Sequence, residues 1–254
     1  MIPIRFHHLK ACGRSPAHAK YVRDAEALGI TTLDSAPVRI GLAVHALVLG
    51  GKPVKQFEGI RRGKAWDAFE AEHAGSIILN PTEFEKAVAM TAAVLNNEMA
   101  VRYLGGVREQ TLLWEHAGRQ LQSTPDAARY TEHVTELKTC ATSAPALFSS
   151  QAVRMSYTAQ LGMQMDGIKA CGLGDPADAY IVAVESSAPY PVTVFKLTDR
   201  AIDKGRALYR SWLETFLNCE RSGHWPSYSQ TIVDLDVPDD DLELTFEGEI
   251  VEAA

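Results

Sequence analysis

Two stretches in the middle of the chain alternate polar and apolar residues. Gln120 to Thr124 does so, and His133 to Thr139 repeats it with Val134 and Leu137 as apolar members. Period-two alternation predicts half-buried strands. A third strand is expected over Val107 to Glu115, with His116 to Arg119 turning it into the second, so that the three form a meander. Further on, Ala179 to Glu185 and Pro191 to Leu197 read as two more strands joined by a Ser/Pro-rich turn.

Helical spacing marks the rest. Residues 1–35 look like short helices separated by Gly13, Pro16 and Gly29, and Ser15-Pro16 reads as a cap followed by proline at the first helical position. Val38 to Leu49 is an apolar helix ended by Gly50-Gly51. Asn80-Pro81-Thr82-Glu83 is a capping signature. Phe84, Val88, Ala92 and Leu95 follow it at helical spacing, and Gly105-Gly106 is expected to close the helix. A helix over about Ser149 to Cys171 carries Tyr157, Gln160, Gln164 and Ile168 on one stripe, with two glutamines that are either half-exposed or line a polar cleft. The last helix, Asp199 to Arg221, carries Ile202, Leu208, Trp212, Leu213 and Phe216, and Trp225-Pro226 opens the tail. This order predicts a single α+β domain with an α/β-type core: a mixed central sheet flanked by helices, over 1–230, and a tail over 231–254.

Composition narrows the class. With 254 residues, 46% hydrophobic, the chain can bury a sizeable core. It has no apolar run of membrane-spanning length and no signal-peptide pattern at its start, so a cytoplasmic protein with no membrane partner is expected. Cys12, Cys140, Cys171 and Cys219 are scattered without a Cys-x-x-Cys, which supports neither a zinc knuckle nor a disulfide framework. The net charge of −7 argues against a polyanion-binding enzyme, but it becomes +2 once the nine acidic residues of 231–254, which holds no basic residue, are set aside. The tail reads as a solvated end, or as a cover for a basic surface on a neighbouring subunit.

The candidate chemistry lies in the alternating strands. Glu136 and Lys138 are two apart, so they share a face, while Leu137 points the other way. Asp126 follows Pro125, and pairing of the strands brings it close to Glu136. Two carboxylates and a cation on one face suit Mg²⁺, or Mn²⁺, which prefer oxygen ligands and retain waters. The alternative reading of Glu136 and Lys138 is a solvated strand face. Glu109 begins the first strand and either faces the same site or is an exposed strand end. His45 lies on the apolar helix four residues after Gly41, where it is either a satisfied core histidine or a ligand. Arg61, Arg62 and Lys64 precede a helix bearing Trp66 and Phe69, and read either as a charged helix start or as a DNA-phosphate contact. His7, His8 and His18 read as surface histidines.

Taken together, Gly41-x-x-x-His45, Pro125-Asp126, Glu136-x-Lys138 and Tyr157-x-x-Gln160 resemble the RecB-like branch of the PD-(D/E)xK nucleases. Four stretches make the chain most similar to the RecE (exonuclease VIII) nuclease domain and its phage relatives: Ser15 to His18, Gly41 to Leu49, Arg61 to Trp66, and Tyr157 to Gln160 with Asp166-Gly167. Trp225-Pro226 also fits, so the resemblance spans about 5–230. It implies that His45, Asp126, Glu136 and the Leu137 carbonyl hold the metal. Lys138 would position and activate the attacking water, while Gln160 and Tyr157 steady the lysine or contact DNA. Glu109 would be an outer member. The implied activity is Mg²⁺-dependent exonuclease degradation of linear double-stranded DNA from the 5′ end, leaving 3′ overhangs for recombination. The implied assembly is a ring-shaped homo-oligomer, with a single-strand annealing protein as partner. The family often has aspartate at the position of Glu136, and many relatives have tyrosine at that of Gln164. The four clustered cysteines of iron–sulfur relatives are missing, so no cluster is expected. A structure-specific or restriction-like endonuclease, a non-catalytic DNA-binding module and a hydrolase of small phosphoesters stay open as alternatives.

Overall fold

The structure, a computed structural model, describes residues 2–30 and 35–235. The chain runs β1 (Ile4–Arg5), α1 (Phe6–Cys12), α2 (Pro16–Ala27), α3 (Ala36–Leu49), β2 (Val54–Gln56), α4 (Lys64–Glu72), β3 (Ile77–Leu79), α5 (Pro81–Leu95) and α6 (Glu98–Tyr103). It continues through β4 (Val107–Arg108), β5 (Leu112–His116), β6 (Arg119–Ser123), β7 (Ala127–Arg129), β8 (His133–Cys140), α7 (Pro145–Arg154), α8 (Tyr157–Ala170), β9 (Asp178–Glu185), β10 (Val192–Lys196) and α9 (Asp199–Ser222). Most of the acidic tail, from Asp236 on, lies outside the described residues.

The centre is a five-stranded mixed sheet in the order β10-β9-β8-β7-β4, in which only β8 and β9 run parallel. Leu137, Val182 and Val184 face α3 and α5, packing on Ile40, Val44, Val48, Met90 and Val94. Val134, Ile181 and Ala183 face the opposite way, onto Phe148 of α7 and Leu161, Met165 and Ile168 of α8. A smaller sheet, β1-β6-β5, closes a third core with α1, α9 and the far side of α8 through Leu9, Leu121, Met163, Leu213 and Phe216. Helix α8 therefore has core on both sides, which is why its apolar residues do not form one stripe. Among the described residues no helix is long and apolar enough to cross a membrane.

Several expectations need correction. The meander does not form. Glu109 takes a left-handed φ of 46° and ends β4 after two residues. The next segment pairs as the β5–β6 hairpin in the smaller sheet, and Pro125, with no N–H to give to a ladder, lies where the chain crosses back to β7. The helix expected over 149–171 is two helices, divided where Ser156 adopts φ 61°. Helix α5 stops at Leu95, and Asn97 caps a separate α6 by accepting from the Ala100 N–H at 2.9 Å. Its buried face is Ala87, Met90, Thr91 and Val94, whereas Val88 and Leu95 are exposed. The capping box itself forms: the Glu83 N–H donates to Asn80 Oδ1 at 2.8 Å and the Asn80 N–H to Glu83 Oε2 at 3.1 Å. Leu208 is exposed, and Tyr209 takes the inward place beside it. The N-terminal region holds a strand, β1, as well as helices.

His8 is fully buried rather than at the surface. Its Nδ1 accepts the Arg5 N–H at 3.1 Å, so its proton sits on Nε2 and points to Glu26 Oε2 at 2.7 Å. Burial, and then the neighbouring His7, push its pKa down to about 4, so it serves as a neutral strut. Trp225-Pro226 does not open a free tail. Trp225 lies edge-on to Phe216 at 5.1 Å and under the Arg23 guanidinium at 4.8 Å, and the Pro226 carbonyl accepts the Ala17 N–H at 3.0 Å.

Candidate active site

Strand β8 carries the site. Its alternation places Val134, Glu136 and Lys138 toward α8 and Leu137 toward α3, as the spacing predicts. Strand β7 pairs with β8 in antiparallel register, Ala127 opposite Thr135. Asp126, just before β7, thereby reaches β8, and its Oδ2 accepts the Leu137 N–H at 2.7 Å.

Glu136 is the hub. Its Oε2 accepts from Lys138 Nζ at 2.5 Å and Gln160 Nε2 at 2.8 Å, and its Oε1 accepts from Gln164 Nε2 at 2.5 Å. Gln160 also takes Lys138 Nζ on its Oε1 at 3.2 Å. The Tyr157 ring lies 5.2 Å from the same ammonium, within cation–π range. The two glutamines thus line a polar cleft, as one of the two sequence readings has it. Gln164 binds the central carboxylate.

His45, on α3, comes from the other side of the sheet, with Nδ1 3.5 Å from Asp126 Oδ2. Gly41, one turn earlier, sits where an added Cβ would meet Thr139 Oγ1 at 3.3 Å, so the glycine lets α3 lie close against β8. His45, Gly51, Lys52 and Glu109 share the wall of an open cleft of about 500 Å³. Glu109 is exposed there, and its N–H donates to the Asp126 carbonyl at 3.2 Å.

The electrostatics follow from packing like charges away from water. Burial, and next the negative charge of Asp126, raise the Glu136 pKa. For Lys138 burial lowers the pKa, but Glu136 and Asp126 outweigh it and the net shift is upward, so the side chain is an ammonium at neutral pH. For Asp126 burial is outweighed by His45, Lys138 and the Leu137 N–H, and its pKa falls. For His45 burial is outweighed by Asp126, and its pKa rises. A divalent cation suits this set, because it would relieve the repulsion between two desolvated carboxylates and replace the His45 proton. The side chains that could hold it are Asp126, Glu136 and His45. They have not closed on one point: among the described residues, the three-residue group with ligating atoms within 4.8 Å is His7, His8 and Glu26.

The basic cluster divides. Arg61 Nη1 donates to the Ile78 carbonyl at 3.2 Å and its guanidinium covers the Trp66 ring at 4.6 Å, so it holds α4 against β3. Arg62 and Lys64 face solvent. The spacing gives no hint of Lys10. It is half-buried on α1, and its pKa is lowered by burial and then by Lys138, which places a second cation near the centre. Only the docking of α1 brings it there.

A mixed sheet bearing an acidic residue after proline and a Glu-x-Lys on the next strand defines a PD-(D/E)xK, restriction-endonuclease-like fold. Over residues 6–235 the chain matches the family described as a PDDEXK-like domain of unknown function (DUF3799), and it belongs to that family. A protein of Eubacterium rectale bearing the name "Putative exonuclease" superposes with a TM-score of 0.67 at 11% identity, over 96% of this chain and 93% of its own. At that identity the likeness speaks to the fold alone. The alkaline exonuclease LHK-Exo of Laribacter hongkongensis aligns at a TM-score of 0.29 and 16% identity, over 71% of this chain and 91% of its own, too remote to bear on the site. No curated protein matches the chain in sequence.

Proposed function

We propose that the protein is a metal-dependent nuclease that degrades linear double-stranded DNA from the 5′ end and leaves 3′ single-stranded overhangs for recombination. One observation carries the reading. Asp126 and Glu136, both buried, stand with the half-buried Lys138 ammonium, which donates to Glu136, while Asp126 also lies 3.5 Å from His45. Such a cluster is costly to bury without a task.

Asp126, Glu136, His45 and the Leu137 carbonyl would hold Mg²⁺, with Mn²⁺ as a substitute. The ion, when bound, supplies positive charge that polarises the scissile phosphate and acidifies a water. Lys138 stays protonated, so it does not remove a proton. It orients the attacking water by donating to its lone pair, and it stabilises the negative charge that grows on the phosphate oxygens. Gln160 and Tyr157 hold the ammonium in place. Attack would break the bond to the 3′ oxygen and leave a 5′-phosphate; the water gives its proton to solvent, and the leaving 3′ oxygen takes one from solvent. Arg62 and Lys64, with Arg61 behind them, would contact the DNA backbone, and Glu109 would act as an outer member at the cleft mouth.

The resemblance to the RecE nuclease domain supports further parts of the reading: a ring-shaped homo-oligomer and an annealing partner for the overhang; work in the cytoplasm rests on the residue pattern at the start of the chain. The same site also fits an endonuclease. The test is end-labelled linear duplex DNA with Mg²⁺, beside closed circular DNA, an EDTA control and Lys138→Ala. Progressive loss from 5′ ends, abolished in both controls and absent on circles, is expected. Cutting of circles would assign an endonuclease. Binding without any cutting would leave a DNA-binding module.

A further inference from the structure

Lys10 is a cation without a counterion. It lies in the last turn of α1, half-buried, and among the described residues its side chain has neither an ion pair nor a hydrogen bond. The cations around it have acidic partners. Arg5 lies 2.8 Å and His7 2.7 Å from the Glu26 carboxylate, and Lys138 donates to Glu136 at 2.5 Å. Burial and the charge of Lys138 both act against the Lys10 ammonium, and no carboxylate offsets them.

The docking of α1 brings this cation to the site. Leu9 and Cys12 fill the third core with Leu213 and Phe216 of α9, and a Cβ on Gly13 would come within 2.7 Å of the Trp212 ring, so α1 sits tightly on α9. Phe6 stands one turn before Lys10 on the same side of α1, and it lines a cavity of about 190 Å³ together with Gln160. Gln160 in turn accepts from Lys138 Nζ at 3.2 Å and donates to Glu136 at 2.8 Å. The side of α1 that carries Lys10 therefore looks onto the residues that hold Lys138. Two ammonium groups near each other and partly out of water repel. Glu136 answers for Lys138. An anion from outside must answer for Lys10, and a DNA strand brings one charge with each phosphate.

We propose that Lys10 is a substrate-binding residue of the site, whose ammonium meets a phosphate oxygen of the DNA strand beside Lys138. The choice of a DNA phosphate as the anion rests on the nuclease reading, whereas the unmatched cation does not. The plainer role of a lysine in the last turn of a helix is to offset the helix dipole. The two roles predict opposite effects for a neutral side chain at this position.

Lys10→Met keeps the apolar stem and removes the charge. Without DNA it should melt at or above the wild-type temperature, because it relieves an unmatched charge next to Lys138. On linear duplex DNA with Mg²⁺ its kcat/KM should fall about tenfold or more, the scale of one charge-assisted hydrogen bond. Affinity for the same duplex is measured by fluorescence anisotropy over a salt series, with EDTA present to stop cleavage. The slope of log affinity against log salt should become shallower by about 0.9, the effect of one lost phosphate contact. Lys10→Arg, which keeps the charge, should restore most of the rate and the slope. Lys10→Gln carries the test if circular dichroism shows the methionine variant unfolded. A lower melting point with the wild-type slope would assign Lys10 to the helix dipole and overturn the proposal. Wild-type slope and kcat/KM in a stable neutral variant would also overturn it, and would leave the nuclease reading intact because the wild type still cuts. A shallower slope in a protein that binds duplex DNA and never cuts it would keep the contact and end the nuclease reading. If the wild type neither binds nor cuts DNA, both fall.

Discussion

At the scale of single residues, the site separates groups that would hold a cation from one that is itself a cation. Asp126 is kept ionised by His45, Lys138 and the Leu137 N–H, which is the state a ligand needs. Lys138 offers no lone pair, because Glu136 and Asp126 keep it protonated. Removing either side chain is expected to lower cleavage by about 10²–10³-fold or more, but their melting behaviour should differ. At a concentration a hundred times its dissociation constant, Mg²⁺ adds about 2.7 kcal/mol to the wild type, a rise of roughly 5–10 °C for a domain of this size. Lys138→Ala should keep that rise and Asp126→Ala should lose most of it, as thermal melts with Mg²⁺ and with EDTA would show. An equal rise in both variants means that Asp126 is not a ligand. The pair on β8 was readable because two residues two apart on a strand share a face. For Gln164 spacing left two readings open, and Lys10 was not readable at all, since what each approaches is set by how α8 and α1 dock. His8 misled for a similar reason: next to His7 it reads as surface, and only the packing of α1 on α9 buries it.

At the scale of elements, α8 is the piece that holds the two halves of the site together. It lays Gln160 and Gln164 against Glu136 on one side and crosses α9 at backbone distance on the other. A Cβ on Gly205 of α9 would come within 2.2 Å of the Thr158 carbonyl oxygen, and one on Gly162 of α8 would be 3.0 Å from the Arg206 nitrogen. Backbone cannot swing aside as a side chain can, so Gly205→Ala must move one helix. The expected cost is about 1–3 kcal/mol, or roughly 2–12 °C in melting temperature. Activity measured well below the new midpoint should fall as well, because α8 carries the glutamines; unchanged activity would show that α9 alone yields. Strands β8, β9 and β10 and helices α3 and α9 were legible from periodicity. Two of the three divisions that periodicity missed share a cause. Both Glu109 and Ser156 adopt a left-handed conformation without being glycine, so the usual punctuation of a turn is lacking at the place where the chain turns. The rotated face of α5 has another cause. Ala87 and Thr91 are small enough for α3 to approach, and a pattern scored by side-chain size favours Val88 and Leu95 instead, although Phe84 does pack on the core.

At the scale of the whole molecule, the question is where the folded body ends. Composition puts the division near residue 230, where the acidic run begins, and places Trp225-Pro226 on the tail's side of the last helix. The packing makes these two residues part of the body that composition bounds at 230, not the start of a free tail. Trp225 joins Phe216 and Arg23, and the Pro226 carbonyl takes the Ala17 N–H near the start of α2, so the segment after α9 ties the end of the chain to its beginning. Beyond it, Ile232 and Leu235 are 97% and 98% exposed and add nothing to the core. An aromatic pair, a cation–π contact and one backbone hydrogen bond together contribute about 2–3 kcal/mol. A chain cut after Ser222 is therefore expected to melt roughly 4–12 °C lower, while one cut after Gln230 should melt with the full chain and keep its nuclease activity. If the longer truncation also lowers the melting point, or abolishes cleavage, the acidic residues past 230 belong to the working body. The division into a nuclease domain and a tail would then be wrong, whatever the charge pattern suggests.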